Sequence, residues 1–168
     1  TFQPPAGPLT ADQRRQFVED IATAPGRLRE AVAGLDERQL DTTYREGGWT
    51  IRQVVHHVPD SHLNAFIRLK FALTENEPTI KPYDEAAWAE LPDVRETPIE
   101  TSLVLLEKLH DRWVRLLRAL KPEDFSRRFV HPEHGAVNVD WLVAMYAWHG
   151  QHHAGHARQG RERALRAR

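Results

Sequence analysis

Ten histidines stand in a chain of 168 residues, and four of them, His149, His152, His153 and His156, crowd into one short stretch. A neutral imidazole nitrogen is the commonest side-chain ligand for a divalent metal and the usual proton carrier near neutral pH. Spacing decides whether several can act together. At roughly 100° per residue, His153 lies about 40° from His149 on a helical wheel, and His152 and His156 fall within about 60° on the other side. Leu142 and Met145 share that face, while Asp140, Ala144, Ala147, Gln151, Ala154 and Arg158 take the opposite one. The histidines therefore point inward. A core stripe that turns from Leu and Met into imidazole costs free energy unless each ring is hydrogen-bonded or metal-bound.

Two rings four residues apart can aim at one ion, and both His149 with His153 and His152 with His156 have that spacing. A bare pair fits a set of buried, hydrogen-bonded histidines equally well. A second cluster, His56, His57 and His62, follows the run Gly47-Gly48-Trp49-Thr50 and tips the balance. Two helices of one bundle bearing inward imidazoles can supply three nitrogen ligands to a divalent metal and leave a position open, as catalytic sites do. Spacing does not choose the third ligand. Val54, Val55, Val58, Ala65, Phe66 and Leu69 define the buried face, and His62 lies closer to it than His57, although Pro59 disturbs the phase. His110 reads as a hydrogen-bonded core histidine, and His152 and His156 as groups beside the ligands. Asp60 is placed either to orient a ligand imidazole or to sit in solvent beside Pro59.

Four long helices must carry these residues. Thr10 with Gln13, Thr50 with Gln53 and Thr97 with Glu100 each match the capping box, in which two side chains satisfy the first free amides of a helix. Pro98 suits a first helical position, and Asn138 with Asp140 suits the start of the last helix. In the third helix Ile99, Leu103, Leu106, His110, Trp113, Leu117 and Leu120 recur at intervals of three and four, forming one buried stripe that ends before Pro122. In the first, Pro25-Gly26 should kink or split a helix carrying Phe17, Ile21, Leu28 and Val32. The long connection ENEPTIKPYDEAAWAELPDVRETP holds Tyr83 and Trp88, which either wall a pocket or anchor the loop. No alternating run reads as a strand. The expected architecture is all-α, a four-helix bundle with long crossover connections, residues 1–168 forming one domain.

Composition narrows the function. Charged residues make up 28% of the chain and the formal charge is -1, so no global field attracts nucleic acid or an anionic membrane. The tail RQGRERALRAR reads as a solvated helix end. Without cysteine there is no thiolate ligand, disulfide or cysteine nucleophile, so any thiol chemistry uses a thiol from outside. The opening TFQPPAGPLT has neither a basic nor an apolar targeting region, and no stretch reaches membrane-spanning length. The expectation is a cytoplasmic protein. A carboxylate-bridged di-iron bundle is disfavoured, because its Glu-x-x-His pattern is missing.

The runs GGWTIRQVVHHVPDSHLNA, TIKPYDEAAWAELPD, FVHPEHG and YAWHGQHH resemble the DinB superfamily, and within it the YfiT-like branch. The likeness extends from about Pro8 to His156. It implies an up-down-down-up four-helix bundle, a zinc or nickel ion, a homodimer, and activity as a metal-dependent hydrolase or bacillithiol S-transferase. The family's first ligand follows the tryptophan of the W-S/T motif by eight residues, which is His57 here, with His56 one residue away as the competitor. The other two match His149 and His153. His156-Ala157 departs from the expected His-Ile. On this resemblance the chain activates a small nucleophile, a low-molecular-weight thiol that attacks an electrophile, or water in a hydrolase. The alternative is a metal-binding module without turnover.

Overall fold

The computed structural model describes residues 1–166. Four long helices form the bundle: α1 (Ala11–Val32), α3 (Ile51–Thr74), α6 (Ile99–Ala119) and α7 (Val139–Arg166). The short helix α2 (Glu37–Leu40) lies between the first two. Helices α4 (Glu85–Trp88) and α5 (Pro92–Glu96) lie in the long connection, and a 3-10 turn (Pro122–Ser126) precedes strands β1 (Arg128–His131) and β2 (Gly135–Asn138).

Cross-helix contacts fix the directions. Arg29 of α1 binds Glu100 and Glu107 of α6, while Glu19 meets Arg118, so these two helices run antiparallel. Arg14 reaches Asp140 and Arg161 reaches the Ala33 carbonyl, so α1 and α7 run parallel. His56 meets Ser102 and His62 meets His110, making α3 and α6 parallel, whereas His57 faces His153 across an antiparallel pair. The order is up-down-down-up. Each long helix packs on two others, α1 and α3 both lying against α6 and α7. The consecutive helices α1 and α3, and α6 and α7, therefore sit across the bundle diagonal, while α3 and α6 are adjacent and parallel, so the chain between them must run back the length of the bundle.

The capping boxes at Thr10 and Thr50 form as their sequences demand, and Asn138 Oδ1 accepts from the Trp141 amide. The box at Thr97 does not form. Thr97 instead ends α5 by donating its amide to Asp93, α6 starts after Pro98 without a side-chain cap, and the Glu100 carboxylate is held at both oxygens by Arg29. Pro25 does not split α1, which is helical throughout. The β1–β2 hairpin was not legible as strands. At four residues each, RFVH and GAVN show no polar–apolar alternation in sequence, and Gly135 in the left-handed region (φ 71°) closes the turn. The long connection joins it, since the Ile80 amide donates to the Val130 carbonyl and the Val130 amide to the Pro78 carbonyl.

The face of α7 opposite the histidines is buried as well. Asp140, Ala144, Ala147 and Ala154 are all enclosed, because their small side chains admit α1 to close range. A methyl group on Gly150 would come within 2.8 Å of the Ala24 side chain, so only glycine permits this approach without movement. Asp140 is held by Arg14 at 2.7 and 2.8 Å and by the Leu9 amide, which fastens the N-terminal segment to α7. Two apolar clusters fill the bundle. One contains Ile21, Leu69, Trp113, Phe129 and Leu142, and the other Leu28, Ile51, Val54, Leu106 and Ala157. Between them, along every long helix, lies a layer of histidine and proline. Among the described residues no helix is long and apolar enough to cross a membrane.

Candidate metal centre

The layer begins at a proline. Pro25 has no amide to give the Ile21 carbonyl one turn below, so that carbonyl is free, and the Nδ1 of His110 lies 2.6 Å from it. A carbonyl only accepts, so His110 donates from Nδ1 and, being neutral, offers the lone pair of Nε2. His62 Nδ1 stands 2.8 Å from that atom and must donate to it, which leaves His62 Nε2 as an acceptor. His149 Nδ1, 3.1 Å away, then carries a proton and donates in turn. The chain of three rings thus fixes the tautomer of His149, whose Nε2 lone pair faces the interior. A partner on the far ring nitrogen orients an imidazole and raises its basicity as a ligand.

Into the same space come His57 from α3 and His153 from α7. One ring nitrogen from each of His57, His149 and His153 lies within 4.8 Å of the other two. The Nε2 atoms of His57 and His149 are 3.4 Å apart. Two imidazoles bound to one tetrahedral ion at about 2.0–2.1 Å would hold their nitrogens about 3.3–3.4 Å apart. His153 Nδ1 is buried without a hydrogen-bond partner. Burial pushes His57 down to about 4 and His153 to about 2, and it holds His149 and His62 well below the usual imidazole range, with neighbouring rings adding to the shift. All four rings are therefore neutral at pH 7, the state a metal requires. Trp49 covers His57 edge-on at 4.8 Å, so the tryptophan of the GGWT turn walls the centre.

The remaining sequence candidates part company here. His56 turns away, its Nδ1 2.7 Å from Ser102 Oγ on α6. His62, favoured by spacing alone, is fully buried but supports His149 rather than joining the converging set. His152 stacks on Trp148 and His156 on Tyr44, the latter at 4.0 Å between centroids. Asp60 does not reach a histidine; burial, aided by Asp93, raises it to about 6.

His149 also lines a cavity of about 140 Å³ with Ser61, Arg68, Tyr83, Glu85 and Tyr146. Ser61 Oγ lies 3.5 Å from His149 Nε2, and a Glu85 carboxylate oxygen lies 3.8 Å from His57 Nε2. Tyr83 walls this cavity, while Trp88 packs on Tyr83 and stays exposed. Sequence reasoning passed over Arg68, Tyr146 and the hairpin residues His131 and His134, which also line it. The run FVHPEHG was the available signal, but its position over α3 depends on a hairpin that the residues do not announce.

A relative from Bacillus mycoides (strain KBAB4) is 50% identical over 157 residues, covering 94% of this chain and 90% of its own. One from Bacillus cereus (strain ATCC 10987) is 51% identical over 156 residues, covering 93% and 90%. Both carry the name "Putative metal-dependent hydrolase". Among solved structures, YfiT from Bacillus subtilis superposes with a TM-score of 0.92 at 41% identity, covering 96% of this chain and 93% of its own. It is described as "a probable metal-dependent hydrolase with an unusual four-helix bundle topology". TT2238, a four-helix bundle protein at 19% identity and a TM-score of 0.58, shares the fold. The DinB superfamily model matches residues 20–157, and with that match and these relatives the chain belongs to the DinB superfamily.

Proposed function

We propose that the chain is a metal-dependent enzyme in which His57, His149 and His153 hold one divalent ion, zinc or nickel, and a small nucleophile is activated beside it. The observation that carries this reading is the meeting of three neutral imidazoles from two helices, one held in a single tautomer by a relay ending at the Ile21 carbonyl. The names of the relatives support the same class of chemistry. Bound there, a divalent cation supplies Lewis acidity and lowers the pKa of a water or thiol in its coordination sphere.

The chain's own residues supply the rest. Three protein ligands leave a position open, and the cavity at His149 is the route to it. Glu85, raised by burial and by Glu133 and Asp84, is placed to take a proton from the nucleophile. Tyr83 is pushed above its ordinary range by burial, so it stays protonated and donates a hydrogen bond. The absence of cysteine fits an external thiol such as bacillithiol as the nucleophile, transferred to an electrophile; with water the same centre is a hydrolase. We place this chemistry in a homodimer, for which the exposed apolar residues Leu63, Ile67 and Phe71, spaced four apart on α3, offer a face.

Elemental analysis of untagged protein should find one divalent ion per chain, absent from His153→Ala. Metal-loaded protein mixed with bacillithiol and a chromogenic electrophile, and separately with an activated ester, should turn over one of them. Equal rates for the native protein and His153→Ala would refute the catalytic reading, and stoichiometric metal without turnover of any nucleophile would make the chain a binding module.

A further inference from the structure

Arg68 lines the cavity, and the proposed chemistry leaves it unused. Its side chain comes from α3 and is 9% exposed, yet the described residues place no carboxylate oxygen within 4.0 Å of it. Among them its one well-formed hydrogen bond runs from Nη2 to the Lys81 carbonyl at 3.2 Å, the Tyr146 hydroxyl lies near enough to interact with it, and its Nε is buried with no partner. A guanidinium has five N–H donors and cannot discharge by losing its proton. An enclosed, unpaired cation is costly unless a counter-ion arrives, and the cavity it lines is where one can enter.

The neighbours are donors too. The Glu133 amide donates to His131 Nδ1 at 3.2 Å, so neutral His131 carries its proton on Nε2. Burial keeps His131 near 4, hence neutral, and raises Tyr146, which stays a phenol. The Arg68 charge is felt at Tyr146, His131 and Glu85, all in the wall of the same cavity. His131, Glu133 and His134 do cluster closely enough to hold a cation. The accepting role of His131 Nδ1 and the adjacent Arg68 charge both oppose a metal there.

We propose that Arg68, with the His131 Nε2–H and the Tyr146 hydroxyl, forms a carboxylate-binding subsite that holds one end of the substrate while the other reaches His149. A planar carboxylate matches the guanidinium fork. A phosphate dianion fits less well, since Glu85 and Glu133 share the wall. Ser61 stands 3.5 Å from His149 Nε2, and Arg68 follows it by seven residues, about 10 Å along a helix. The substrate is therefore a small molecule whose carboxylate lies several bonds from its reacting atom. That the bound anion is substrate rests on the function proposed above; that it binds does not.

Calorimetric titration of metal-loaded protein with succinate, and separately with inorganic phosphate, tests this, with elemental analysis confirming one ion per chain throughout. Succinate should bind, bind more tightly than phosphate, and lose at least tenfold in affinity in Arg68→Met, with Arg68→Lys between. In native ¹⁵N-labelled protein the Arg68 Nε–H resonance should shift with succinate at the calorimetric midpoint, a readout that survives if the variants fail to fold. Unchanged affinity in Arg68→Met, an unmoved Arg68 resonance, tighter phosphate binding, or a second metal lost with His131→Ala would each overturn the subsite. Absence of metal or turnover with succinate binding intact would count against the proposed function alone.

Discussion

At the scale of single residues, the difference between a ligand and its support is one of direction. His57 and His62 are both buried on α3, although a helical wheel sets them about 140° apart and favours His62. The position of α6 reverses that choice, because His110 claims the Nδ1 of His62 and turns its Nε2 to His149. The histidine layer is therefore legible in the sequence, but spacing points to His62 as the ligand, and His57 comes only from the family resemblance, because the helix opposite is not in the pattern. Removing His62 should leave three potential ligands in place yet free His149 to rotate and change tautomer. In metal competition with a chromophoric chelator, His62→Leu should bind its ion about 10–100-fold more weakly. His56→Leu should lower stability by exposing Ser102 to an unmet hydrogen bond, while leaving metal affinity unchanged. Equal losses in the two variants would mean that the relay does not orient His149.

At the scale of elements, the bundle's two prolines in long helices show why local rules mislead and what they still reveal. The first-turn boxes at Thr10 and Thr50 need only neighbours in sequence, so they were readable. The Thr97 box competed with Arg29 from another helix for Glu100, and the hairpin depends on pairing with the long connection, so neither was. Pro25 looked like a break. It is enclosed within an unbroken α1, and its missing amide is what lets the Ile21 carbonyl anchor His110. Pro25→Ala would return a helical donor to that carbonyl. Alanine is the better helix former by about 3 kcal/mol in an unstrained interior, so the variant should melt at an equal or higher temperature. Its metal affinity should fall, since two donors would compete for one carbonyl. A variant that gained stability with metal affinity untouched would show that the relay needs no proline.

At the scale of the whole molecule, the up-down-down-up order sends two long connections over the bundle and laces them together at Ile80 and Val130, leaving one face of α3 uncovered. Light scattering should report a dimer for the native chain and a monomer for Ile67→Glu with its metal content intact; a native monomer would remove α3 as an interface. The buried histidine layer also sets how the metal-free protein responds to acid. His110 is depressed by burial to about 4, against about 6.5 for an unfolded imidazole. Between those values the unfolded chain binds a proton that the folded one refuses, so unfolding free energy falls as pH falls. The contribution is complete above pH 6.5 and is lost on the way down to about 4, on the order of 3 kcal/mol for this one ring. Urea titrations of metal-free protein at pH 7.5, 6 and 4.5 should show this decline, and His110→Phe, which removes one of the depressed rings, should make it shallower by that ring's share. Adding one equivalent of zinc or nickel should raise stability most at the highest of these pH values, because metal and protons compete for the same nitrogens. A metal increment that stayed constant across the three pH values would mean the ion binds away from the imidazoles.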